Sequence, residues 1–191
     1  MEQFKLFLEL GLTHVLDING YDHVLFLMVL AAPYLFANWK RILLLVTVFT
    51  LGHTLSLLLA AYNVVSVQSS LVEFLIPVTI GVAAVYNIVT AGKTQTNDKA
   101  GVLFFTTLFF GIIHGLGFSG YFKMIIGKSE DKLIPLLEFA LGIEIAQAII
   151  VIAMLILATI VQTFLRVSRR DWVLVVSAIV VGLIIPMLLE R

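Results

Sequence analysis

The chain has 191 residues, 61% hydrophobic and 13% charged, with zero formal net charge, no cysteine and a mean hydropathy of +1.10. A soluble domain carries roughly 25% charge, so this composition is that of an integral membrane protein without a sizeable soluble domain. No basic block offers a footprint for nucleic acid, and the missing cysteines exclude a disulfide scaffold and thiolate metal chemistry. Residues 4–16 predict a short helix, apolar but interrupted by Lys5 and Glu9, too short to cross and placed at the interface or against the bundle. With Glu2, the same charges argue against a removable signal peptide. Asp17, beside Asn19-Gly20, reads as a turn residue. Apolar segments at about 22–38, 41–62, 72–91, 101–119, 133–162 and 172–189 predict about six spans in a single transmembrane domain, 1–191. The expected fold is an all-α bundle, in which every backbone group is satisfied within its own helix. The first segment is short, and the fifth is long enough to tilt.

Loop charge orients these spans. Lys40 and Arg41, Lys93 and Lys99, and Arg166, Arg169 and Arg170 fall in three loops on one side. The opposite side has an uncharged link at 63–71 and a loop with Lys123, Lys128 and Lys132 beside Glu130 and Asp131. The positive-inside rule places the more basic side in the cytoplasm and both termini outside.

Ionisable residues inside spans are costly in hydrocarbon and mark function. Asp22 and His23 open the first span, and Glu73 opens the third. At 1.5 Å per residue, His53 and His114 lie roughly 18–20 Å above the inner ends of the second and fourth. Glu138 is near the outer end of the fifth span, with Glu144 deeper and Gln147 on the same face as Glu144. Five spans thus bring imidazole or carboxylate into the outer half, with His14 just before them. Imidazole with carboxylate suits a divalent Ni²⁺, Co²⁺, Zn²⁺ or Cu²⁺ ion, as substrate or as bound ion. Single residues have plainer readings: Asp22 and Glu73 as helix-start charges, each histidine as a bonded packing residue, Glu138 as an entrance or headgroup residue. Gly111, Gly115, Gly117 and Gly120 surround His114, where small residues either let helices approach or leave room for a substrate.

The blocks HVLDINGYDHVLFLMVL, FTLGHTLSLLLA, VEFLIPVTIGVAAVYN, FFGIIHGLGFSGYF and LLEFALGIEIAQ, in this order over residues 14–147, resemble the HupE/UreJ family of small membrane proteins. That family is associated with hydrogenase and urease and regarded as permeases for nickel or a related metal. The resemblance matches His23 with Asp22 to the family's Asp-His pair. It matches His53 and His114 to its later histidines, Glu73 to its third-block acid, and Glu144 with Gln147 to its polar pair. Nickel–cobalt permeases share a related H-x4-DH signature. Here the spacing is H-x7-DH, so His14 reaches the site only if the extra residues loop it over. The resemblance implies a secondary transporter in the bacterial inner membrane, carrying a divalent metal inward through an outer His/carboxylate site. Its partners would be the metal, membrane lipid, and a second copy or a metalloenzyme maturation protein. An intramembrane zinc hydrolase, with Asp22 or Glu144 as general base, and a haem-binding, metal-sensing or accessory protein are the alternatives.

Overall fold

The structure, a computed structural model, describes residues 2–18, 20–92, 100–127 and 131–190, without the side chain of Ala100. Asn19, Lys93, Lys99, Lys128 and Glu130, assigned above to turns and loops, lie outside the described residues. The described chain forms helices α1 (Glu2–Leu16), α2 (Asp22–Ala31), α3 (Trp39–Ala61), α4 (Ser69–Thr90), α5 (Ala100–Ile126), α6 (Leu133–Phe164) and α7 (Arg169–Leu189). A 3₁₀ turn at Phe36–Asn38 leads into α3. Five helices, α3 to α7, are long and apolar enough to cross a membrane. They bury Phe49, Phe122, Phe139 and Ile80 inside and expose Leu51, Phe105 and Ile149 outward, the apolar exterior of a bundle solvated by lipid.

The segment expected as a first span, 22–38, is divided. Its helix, α2, has ten residues, a rise of roughly 15 Å against a hydrocarbon core of about 30 Å. Pro33 explains the stop. It has no N–H to donate to the Val29 carbonyl, the bond that would carry the helix onward. That carbonyl is instead taken by Asn87 of α4, whose Nδ2 donates to it at 2.8 Å. The buried backbone acceptor stays paired, and the half-length helix is pinned to α4.

α1 is amphipathic. Phe7, Gly11 and Val15, spaced four apart, are buried, while Glu2, Lys5 and Glu9 are exposed. The buried stripe lies on α6. A Cβ on Gly11 would run into the Phe139 carbonyl oxygen, and one on Gly142 into that of Leu8, so the two backbones touch. Of the two placements expected for the N-terminal helix, it is packing on the bundle that the contacts describe. α3 and α5 meet in the same manner through Gly52, Gly111 and Gly115.

The helix ends sort the basic residues. Arg169 donates to the Pro33 carbonyl, Arg41 lies over the Tyr34 ring, and Arg170 lies against Gly92. These contacts gather the start of α3 and α7 and the end of α2 and α4 at one end of the bundle. Lys123 donates to Asn63 at 3.0 Å and Lys132 to the Ala61 carbonyl at 2.8 Å, at the opposite end. α7 begins with Ser168, whose hydroxyl accepts from the Asp171 N–H at 3.1 Å and caps the helix.

Candidate metal centre

All four histidines meet in the interior, and the local sequence shows how. Gly115 lies against the His53 carbonyl and the Ser56 hydroxyl, with no room for a Cβ. This close approach of α3 and α5 is what brings His53 and its neighbour His114 to one level. The packing reading of Gly115 is therefore the one the contacts support. Gly117 meets mainly the tip of Ile76 on α4, a flexible neighbour. The longer H-x7-DH spacing still seats His14 beside His23, ring centres 4.7 Å apart. His53 lies 5.7 Å from His14 and 5.6 Å from His23. His114 lies 5.3 Å from His23. His23, His53 and His114 are buried, and His14 is half-buried.

Ring nitrogens of His14, His23 and His53 all lie within 4.8 Å of one another. Tetrahedral ligands at 2.0–2.1 Å from zinc are separated by about 3.3 Å. Closing the group onto an ion therefore requires shifts on the order of an ångström, within reach of side-chain rotation. The group can hold a metal ion.

Hydrogen bonds fix which nitrogens face inward. Asp22 Oδ1 accepts from His23 twice, from the backbone N–H at 2.8 Å and from Nδ1 at 3.0 Å. With Nδ1 as the donor, His23 Nε2 carries a lone pair. His114 Nδ1 lies 2.8 Å from the Phe110 carbonyl, which only accepts, so this ring also donates from Nδ1 and leaves the lone pair on Nε2. A metal-bound histidine is held by such an outer carboxylate or carbonyl, which sets its tautomer and ring plane. The Nε2 atoms of His14, His23 and His114, and both ring nitrogens of His53, are buried without a hydrogen-bond partner among the described residues. Each such orphan costs about 1–3 kcal/mol. One divalent ion would satisfy several at once, so the donor set fits a metal.

Aromatic rings that sequence reasoning missed wall the site. The Phe118 ring centre is 3.9 Å from His14, Phe139 stacks on Phe118 at 5.1 Å, and Phe49 stands 5.1 Å from His114. Phe26 closes the side below His114 at 5.5 Å. Their signal was the run of phenylalanines four residues from a histidine, as at Phe49–His53, Phe110–His114 and His114–Phe118.

The carboxylates take other places. Glu144 is half-buried between α3 and α6, where Thr47 donates to its Oε1 at 2.6 Å and Thr50 to its Oε2 at 2.5 Å. Thr50 also lies 3.1 Å from Gln147 Oε1. Both expected polar residues of the fifth span thus belong to a threonine-bonded pair, and Glu144 is not among the grouped ligand atoms. Thr47 was missed, although its i,i+3 relation to Thr50 in VTVFT placed the two hydroxyls on one face. Glu73 is on an exposed face of α4. Glu138 is half-buried on α6, with Oε2 lacking a partner among the described residues. Asp22 alone among the expected carboxylates bonds to a histidine among the described contacts.

Comparison with curated proteins and with solved structures returns no match. One family model, described as HupE / UreJ protein, matches residues 1–190. A chain matched over nearly its whole length, with several apolar spans around a buried histidine cluster able to hold a metal, belongs to the HupE/UreJ family.

Proposed function

We propose that the protein is a secondary permease for a divalent transition-metal ion, nickel or a related metal. The observation that carries this reading is the mutual approach of the His14, His23 and His53 ring nitrogens to within 4.8 Å in the bundle interior. Imidazole nitrogens without thiolates favour Ni²⁺, Co²⁺, Zn²⁺ or Cu²⁺ over harder cations. His14, His23, His53 and His114 are the proposed ligands, and Asp22 orients His23 and offsets part of the ion's charge. Glu73 and Glu138 are assigned to the entrance, and Glu144 with Gln147 to a neighbouring polar station.

The positive-inside rule supports an orientation with Arg41, Arg169 and Arg170 cytoplasmic and both termini outside. The histidines then lie in the outer half, since His53 is roughly 12 Å from the Ala61 end of α3. Capture would be from outside, in the bacterial inner membrane, with release assisted when protons displace the metal from imidazole. The test is uptake of Ni²⁺, Co²⁺, Zn²⁺ and Cu²⁺ into proteoliposomes. A metal-selective flux that disappears in His23→Ala, His53→Ala and His114→Ala is expected. Wild-type binding and flux in all three variants would end the proposal.

A further inference from the structure

A cavity of about 610 Å³ lies between α2, α4 and α5, in the size range of small-molecule sites, about 300–1,000 Å³. Its deep end is formed by Phe26 and Phe110, two of the residues that touch His114. From there it runs past Val29, Leu30 and Ala83 to Tyr34 and Arg41. Val82, Tyr86 and Val102 line it and are exposed, so it opens sideways between α4 and α5 toward lipid. Along α4 it extends from Val82 to Thr90 and along α5 from Val102 to Phe110. Eight residues of helix rise about 12 Å, close to the roughly 15 Å of hydrocarbon in one leaflet.

Its chemistry is that of a place for an amphiphile, not of an ion path. The walls are mostly aliphatic and aromatic, and Arg41, the one charged lining residue among the described residues, repels a metal cation. No acidic residue lines the cavity among the described residues. Arg169 adds a second guanidinium at the mouth, where it donates to the Pro33 carbonyl. Tyr34, under the Arg41 guanidinium, is 4% exposed, and its hydroxyl is buried without a partner among the described residues. Guanidinium charge at the end of an apolar slot one leaflet deep is complementary to a phosphate headgroup above an acyl chain.

We infer that this cavity is a binding site for an anionic phospholipid of the surrounding bilayer. One acyl chain fills the slot down to Phe26 and Phe110, and the phosphate rests on Arg41 and Arg169. The ester bonds then lie at the Arg41 end, a leaflet's depth from the histidines. The lipid is a resident ligand beneath the metal centre and is not cleaved there.

The test uses the full chain purified in detergent, with phosphatidylglycerol and phosphatidylcholine of identical chains. Retention through delipidation is read by native mass spectrometry, and stabilisation by the melting temperature. Phosphatidylglycerol is expected to be retained and to raise the melting temperature more than phosphatidylcholine, while glycerophosphate without chains does neither. Arg41→Gln is expected to weaken retention about fivefold, the worth of one basic residue against an anionic lipid, and Ala83→Trp to abolish it by filling the slot. Lys40→Gln removes the neighbouring charge, whose ammonium stands over Trp39 outside the cavity, and is expected to change nothing. Equal retention of both lipids would overturn the inference. So would an effect of Lys40→Gln equal to that of Arg41→Gln, or stabilisation by glycerophosphate alone. If Ala83→Trp does not fold, the Arg41/Lys40 pair decides the matter.

Discussion

Asp22 is the residue at which the centre's geometry gives a number. Its Oδ1 holds the His23 backbone N–H at 2.8 Å and Nδ1 at 3.0 Å, and its side chain is 18% exposed. Asp22→Asn preserves the shape and can keep one carbonyl acceptor, but it removes the negative charge that would offset part of the ion's charge. Loss of an outer-shell partner of this kind lowers metal affinity about 10–100-fold, or about 1.4–2.8 kcal/mol. Asp22→Ala also removes the acceptor, leaving Nδ1 unbonded and the ring free to turn, so its loss is expected at or beyond the upper end of that range. The assay is calorimetric or competition titration of Co²⁺ and Ni²⁺ on detergent-purified protein. The ligand-field spectrum of bound Co²⁺ reports geometry, and helix content reports folding. If both variants are folded and bind within about threefold of wild type, well below that outer-shell range, the carboxylate does not act through His23 and the assignment of the centre around that ring fails.

Other sites give sharper contrasts. Gly115→Ala drives a methyl group into the His53 carbonyl and is expected to cost about 1–3 kcal/mol of overpacking together with metal affinity. Gly120→Ala, with open space at its Cβ, is expected to be silent in the same melting and titration experiments. Asn87→Leu orphans the Val29 carbonyl and is expected to lower stability by about 1–3 kcal/mol, read as a lower melting temperature without change in metal affinity. Glu144→Gln tests whether the threonine-bonded carboxylate is a ligand. Metal affinity within about threefold of wild type is expected, and a loss of tenfold or more, about 1.4 kcal/mol, would place Glu144 on the ion.

The bundle was legible because charge is scarce and expensive in lipid. Apolar runs marked α3 to α7, and the basic residues at their ends marked which ends meet. The division of 22–38 was written in the sequence as Pro33, but a hydropathy window averages over a single missing N–H. It carries no trace of the Asn87 side chain that takes up the freed carbonyl. The site was legible by depth. Each histidine's distance along its helix sets its height, and heights alone predicted convergence of His23, His53 and His114. Depth says nothing about azimuth. Glu144 is deep enough to join the histidines, yet α6 turns it toward Thr47 and Thr50 on α3. That rotation depends on packing, including the backbone contact of Gly142 with α1, and no spacing within α6 encodes it. His14 is the opposite case. Its spacing from Asp22 argued against a shared helical motif, yet its ring stands 4.7 Å from that of His23 on a separate helix, a proximity that sequence periodicity does not register.

The short α2 ties these features together. Its first residues present Asp22 and His23 to the metal centre, and its last turn ends at Pro33, against Arg169 and beneath Arg41. Between those ends Phe26 separates the histidines from the apolar slot. An ion leaving the histidines toward the Arg41 end meets a phenyl layer, then a hydrophobic chamber, then guanidinium charge, each of which opposes a dehydrated dication. If the protein is the permease proposed above, the described residues leave no open passage in that direction, and transport would require a second arrangement of the helices. α2 is the element best placed to make one. It is half a membrane long and is held to α4 through the Asn87 bond to Val29. Because His23 and Phe26 lie on this one short helix, a shift along its axis would move both, while Phe49 and Phe110, which pack on Phe26, belong to α3 and α5.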